Sequence, residues 1–235
     1  MKRTQRLSRV VVMLLVATAL AGWASAQGQQ PKVQIPQPGV PQIMTLEGRY
    51  VRAAYNNEGY VILGYQLANR SVGQEWMYIE IGATLRDGVK DFTLPRANVS
   101  LSTPDGKTIP MATQPEYQKA DLRGLEQQAT IVRDSINYFP PSATRACRIG
   151  FFAEVGGGQS WDQVDLANTR ACVGRIFFHV PGGIAYGQHW LNVKLRDTLV
   201  RVPFRILTKD EQQFLDKNYK DIEKQVEEAF KPKKK

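Results

Sequence analysis

The sequence predicts a mainly β chain, an antiparallel β-sandwich with an added C-terminal α-helix. Three observations carry that prediction. Between Thr45 and Ile206 several short runs alternate apolar and polar residues, and a period of two places each apolar set on one face of a strand. Turn-forming clusters separate the runs: Asn56-Asn57-Glu58-Gly59, Arg86-Asp87-Gly88 and Thr103-Pro104-Asp105-Gly106. At Thr208 the period changes to steps of three and four, which is helical.

Residues 1–26 read as a secretory signal peptide. Lys2, Arg3, Arg6 and Arg9 charge its start, Val10 to Ala24 is almost wholly apolar, and Ala24-Ser25-Ala26 has the small-residue cleavage pattern. The apolar run falls short of the roughly 20 residues a membrane span needs, so the mature chain is expected to lack a transmembrane segment. Residues 27–44 hold four prolines before any apolar periodicity begins, the text of an extended leader.

The β domain follows over residues 45–207. Val61, Leu63, Tyr65 and Leu67 form one inward set, and Met77, Ile79, Ile81, Ala83 and Leu85 a second. Residues 111–146 lack alternation and read as a long excursion with a helical turn around Ala120 to Glu126. Ile176, Phe178 and Val180 resume the pattern, followed by Leu191, Val193 and Leu195 and by Val200, Val202, Phe204 and Ile206. Pro203 points the last strand to an edge or a bulge, because proline cannot donate to a ladder. Seven or eight strands with polar turns favour a two-sheet sandwich, with a small barrel second.

Residues 208–230 read as an amphipathic helix. Thr208-Lys209-Asp210-Glu211 fits a capping box, and Leu215, Tyr219, Ile222, Val226 and Phe230 form the stripe. The stripe needs a cover: the sandwich itself, a partner helix or a second copy of the chain, so homo-oligomerisation through this helix stays open. Residues 231–235 form a basic tail.

The formal charge of +9 is a property of the ends. Four positive charges belong to residues 1–26 and four to the last five residues, which leaves the body at +1. A nucleic-acid partner needs clustered charge on the folded domain, so that class is excluded.

The chain has two cysteines, both within the tetrapeptide Thr-Arg-Ala-Cys, at residues 144–147 and 169–172. In an exported chain they are expected to form a structural Cys147–Cys172 disulfide. A zinc site would require four ligands at short spacings, with only His179 and His189 to help, and a redox pair would require Cys-x-x-Cys. No metal or cofactor is expected. A simple antiparallel hairpin would set Cys147 near Val180, so the disulfide implies that the chain turns at Gly156-Gly157-Gly158 and returns before residue 172, with a short helix expected from Ser160. The repeated tetrapeptide reads as coincidence or as the vestige of a duplication.

Catalytic patterns are missing. No Gly-x-Ser-x-Gly turn accompanies the histidines, which read as surface or turn-supporting residues. Asp162 and Asp165, with Glu154, are the carboxylates a hydrolase would use, set against solvated loop positions. The one constellation above noise is a surface. If the strand phases hold, Trp76, Tyr78, Phe177, His179, Trp190, Lys194 and Arg196 point away from the core on one sheet, as aromatics beside cations do on a protein- or glycan-binding face. The rival reading is that the excursion or the C-terminal helix lies over it.

The segment Gly174-Arg175-Ile176-Phe177-Phe178-His179-Val180-Pro181, followed by Val200-Arg201-Val202-Pro203-Phe204-Arg205-Ile206, resembles the last two strands of immunoglobulin-like domains in bacterial exported proteins of unknown function. Pro104-Asp105-Gly106-Lys107 resembles their mid-domain hairpin. The likeness covers about half the domain and leaves out the excursion and the disulfide region. It implies an immunoglobulin-like, non-catalytic extracytoplasmic domain, periplasmic or extracellular, and carries over no functional residues. The function expected is therefore binding of an envelope protein or glycan, with an exported hydrolase or a self-assembling subunit as alternatives.

Overall fold

A computed structural model describes residues 42–153 and 158–230. The signal peptide over 1–26, the leader up to residue 41, Glu154, most of the Gly156-Gly157-Gly158 turn and the basic tail lie outside the described residues.

The protein is mainly β, built from twelve described strands in three sheets, with the C-terminal helix in place. The larger sheet has the order β1 (Ile43–Gly48), β2 (Val51–Tyr55), β3 (Gly59–Gly64), β4 (Trp76–Leu85), β10 (Arg170–His179) and β8 (Arg145–Ile149). The second has the order β12 (Leu199–Ile206), β11 (Gly187–Lys194), β6 (Val99–Ser102) and β7 (Thr108–Pro110). A small ribbon pairs β5 (Phe92–Pro95) with β9 (Gln163–Leu166).

The alternating residues do what their spacing predicts. Met77, Ile79, Ile81, Ala83 and Leu85 of β4 are fully buried and share one core cluster with Leu191 and Val193 of β11 and Val200, Val202, Phe204 and Ile206 of β12. The inner faces of the two sheets thus close a sandwich core. Pro203 sits on β12, the edge strand of its sheet, as its missing N–H requires. The Asn56-Asn57-Glu58-Gly59 turn joins β2 to β3, and its Asn56 side-chain oxygen accepts from the backbone N–H groups of Glu58 and Gly59.

Two expectations are corrected in the first half. The apolar set from Val61 to Leu67 is not one strand: β3 ends at Gly64, and helix α1 (Gln66–Arg70) buries Leu67. β1 also begins at Ile43, inside the stretch read as leader.

The excursion is a cover rather than a loop. Helix α2 (Gln114–Lys119) opens on a capping box made by Thr113 and Glu116, and helix α3 (Arg123–Ile131) follows. The helical turn expected around Ala120 to Glu126 covers the junction between them and the first turn of α3, which runs on to Ile131. Beyond α3 a strap over residues 132–139 crosses the outer face of the six-stranded sheet. Ile136 and Phe139 pack with Val51, Ala53, Tyr60 and Ile62 in a second apolar cluster. The strap seats because the strands below it carry glycines: a Cβ on Gly82 would meet the Phe139 ring at 2.8 Å, and one on Gly64 would meet Asp134 at 2.4 Å.

The disulfide is present, and its setting is new. Cys147 and Cys172 face each other across β8 and β10, which run parallel, with Cα atoms 4.1 Å apart. The two tetrapeptides lie in register: Arg145 opposite Arg170, Ala146 opposite Ala171, Cys147 opposite Cys172. No helix forms at Ser160. The segment enters β9 instead, because Val164 and Leu166 are buried at a strand's spacing and β5 supplies a ladder partner.

Helix α4 (Lys209–Phe230) starts on the predicted box: Thr208 N–H donates to Glu211 Oε2 at 2.9 Å, and Glu211 N–H to Thr208 Oγ1 at 3.3 Å. Arg49 ties its early turns down, with an ion pair to Asp216 at 2.9 Å and its guanidinium over the Tyr219 ring.

Candidate functional site

The surface read from the sequence does not exist as one face. Tyr78 and Phe177 do point outward from the six-stranded sheet and lie opposite each other across β4 and β10, yet Phe177 is fully buried and Tyr78 is 6% exposed. Tyr117 of α2 and Phe152, just after β8, close over Phe177 with ring centroids 4.9 and 5.0 Å away. The excursion has taken the aromatic face for its own core. Trp190 and Lys194 belong to the other sheet. Trp190 is 6% exposed, with Arg201 stacked 4.8 Å above its ring. Arg196 lies in the β11–β12 turn, where its guanidinium donates to the Asp91 carbonyl and its backbone N–H to Glu58. What remains of the constellation is Trp76 and His179, opposite each other at one end of β4 and β10, their rings stacked 5.2 Å apart.

His179 leads to the site. It lines a cavity of about 910 Å³ at the end of the sandwich, together with the β6–β7 hairpin, the start of α2 and the loop between β10 and β11. Pro104, Ile109, Pro110, Met111, Pro181 and Ala185 supply apolar wall, while Asp105, Lys107 and Glu116 supply charge. Lys107 donates to Asp105 at 2.7 Å and, with Thr103, holds that carboxyl well below the usual range. The backbone N–H of Thr113 does the same for Glu116. Both carboxylates are therefore charged over the whole neutral range.

The second histidine lines the same cavity. His189 shares the inward phase of Leu191 and Val193, is fully buried and stacks on Phe204 at 5.3 Å. Its Nδ1 lies 3.1 Å from the Gly187 carbonyl oxygen, which can only accept, so Nδ1 carries the proton. Nε2 is then a lone-pair acceptor, and it is buried without a hydrogen-bond partner. Burial also lowers the pKa of the ring, which keeps it uncharged. The result is a fixed neutral acceptor in an apolar wall. His179, with its Nε2 3.5 Å from Glu75, stands at the solvent side.

The expectation that both histidines are surface or turn-supporting residues fails for His189. Period two, counted from Leu191, places it inward, and that signal was available in the sequence. The carboxylates weighed for hydrolysis have structural partners: Asp162 accepts from Arg96 Nε at 3.0 Å and Asp165 from Thr93 Oγ1 at 2.6 Å. Arg96 is itself 8% exposed and donates to the carbonyls of Ala112 and Phe151, binding the ribbon to the excursion. Among the described residues no group of three or more His, Cys, Asp or Glu gathers as a metal site would require, and no helix is long and apolar enough to cross a membrane.

No family model, curated protein or solved structure matches this chain. What the geometry defines is a class: a β-sandwich with a C-terminal helix and a ligand-sized cavity at one end.

Proposed function

We propose that the chain is a non-catalytic exported β-sandwich protein that binds another protein or a cell-envelope component through the two-histidine cavity. The observation that carries the reading is the unpartnered Nε2 of His189 in the wall of a 910 Å³ cavity. Leaving a buried polar atom unmatched costs roughly 1–3 kcal/mol, a cost that a ligand donor removes on binding. A mostly apolar group carrying one N–H or O–H suits such a wall. The apolar start of the chain and the oxidised cysteines support export to the periplasm or beyond.

The test uses photo-crosslinking from two positions, Ala185 at the cavity and Arg145 on the exposed edge strand β8. In envelope extract, the Ala185 probe is expected to form one discrete adduct that His189→Phe abolishes, while the Arg145 probe forms none. Identical labelling from both positions, or an Ala185 adduct indifferent to His189→Phe, refutes the assignment.

A further inference from the structure

A second concave site lies on the outer face of the six-stranded sheet, enclosed by β8, β10, α3 and the strap, with a volume of about 550 Å³. It differs in kind from the cavity at the end. Three arginines from three elements line it: Arg133 from the strap, Arg148 from β8 and Arg175 from β10. Arg175 Nη1 lies 3.4 Å from Glu126, but its Nη2 is buried with no partner. A guanidinium presents its N–H groups in a planar fork that matches an oxyanion, and half of this fork is unused.

We propose that this cleft binds a compact ligand bearing an oxyanion, a carboxylate or a phosphate or sulfate group, anchored on Arg175 Nη2 with Arg133 at the mouth. Of the three carboxylates of the cleft, Glu126 holds Arg175 Nη1 and accepts from the Tyr117 hydroxyl, while Glu80 and Asp134 are committed elsewhere. Glu80, opposite Arg175 across the ladder, accepts from the Asp134 backbone N–H at 2.9 Å and from the Tyr78 hydroxyl at 3.3 Å. Asp134 accepts from the Gln66 N–H at 2.8 Å. Burial raises the pKa of both, that of Asp134 to about 6, against the hydrogen bond from the Gln66 N–H and the opposing fields of Arg52 and Arg70, with the Glu80 charge adding to the rise. Mild acid therefore removes negative charge from the cleft while its arginines stay charged. An anion binds more tightly as pH falls, by roughly three- to tenfold for one charge at this range in a partly screened site.

Titration calorimetry on the full chain with glucuronate and with inorganic sulfate tests this, since both probes hold their charge between pH 5.5 and 7.5. Saturable binding by at least one probe is expected, tighter at pH 5.5, and at least tenfold weaker in Arg175→Gln. The probe that binds distinguishes a carboxylate ligand from a phosphate or sulfate ester. Arg133 is exposed, so Arg133→Gln leaves the fold intact and is expected to weaken binding severalfold even where Arg175→Gln fails to fold. No binding of either probe at millimolar concentration, affinity unchanged in both variants, or affinity that rises with pH overturns the proposal.

Discussion

The two faces of strand β4 in the six-stranded sheet are both largely covered and written quite differently. On the inner face β4 presents Met77, Ile79, Ile81, Ala83 and Leu85, an unbroken apolar column against another sheet. On the outer face the same strand presents Tyr78, Glu80, Gly82 and Thr84, of which Tyr78 and Thr84 are at most 6% exposed. The difference lies in what covers each. A facing sheet has its backbone polar groups paired within its own ladders, so its neighbour need supply only apolar surface. An irregular strap brings unpaired N–H groups into the contact, and the sheet below must accept them. Glu80 takes the N–H of Asp134, and the strap's Asp134 carboxylate in return takes the N–H of Gln66, just past β3.

The strongest way to break this comparison is to truncate an outer aromatic. Phe177→Ala is expected to destabilise by about 3–5 kcal/mol, close to the cost of Ile81→Ala on the inner face. Urea unfolding of the two variants checks it, and a cost below about 0.5 kcal/mol for Phe177→Ala would mark the outer face as open surface. Next in size, replacing Cys147 and Cys172 together by serine is expected to cost about 3 kcal/mol by loosening the unfolded chain, read as a lowered unfolding midpoint with the slope in denaturant as a control.

A smaller effect sharpens the contrast through pH. Asp134 titrates at about 6 in the folded protein against an ordinary value of 3.8, so the folded state holds a proton that the unfolded chain releases. Its contribution is fully present below pH 3.8 and is lost as pH rises through 6. Asp134→Asn is expected to raise stability at pH 7 by roughly 1–3 kcal/mol and to flatten the profile between pH 4 and 6, measured by unfolding at each pH. Glu80→Gln is expected to flatten it in the same direction, because its carboxyl is raised by the same burial. The least effect is expected at Phe214, 63% exposed on α4. Phe214→Ser should shift stability by less than about 0.5 kcal/mol, and a larger loss in a concentration-dependent melt would reveal a copy of the chain covering that helix.

The inner face was legible because alternation is a local signal with a fixed period. Turns and caps were legible for the same reason: Asn56, Gly106 and Thr208 each satisfy groups within four residues of themselves. The strap was not, since its fit depends on two glycines far away in sequence and on a carboxylate at residue 80. Glu80 did carry a clue, as a charge inside an otherwise apolar strand. α2 was missed although Thr113 and Glu116 spell the same box as Thr208 and Glu211, because two turns are too short to show a stripe. The parallel pairing of β8 and β10 depends on the path of the chain between them, which the spacing of two cysteines does not encode.

That pairing has a bearing on how the protein ages. β8 is an edge strand of its sheet, with Arg145 turned to water, and a covalent rivet fastens it to its neighbour at the midpoint. Cut the rivet, and β8 is free to peel, baring a row of hydrogen-bonding groups along β10 that a strand from another molecule can claim. Loss of oxidation would then be felt first as chains growing together edge to edge, before any loss of the sandwich itself.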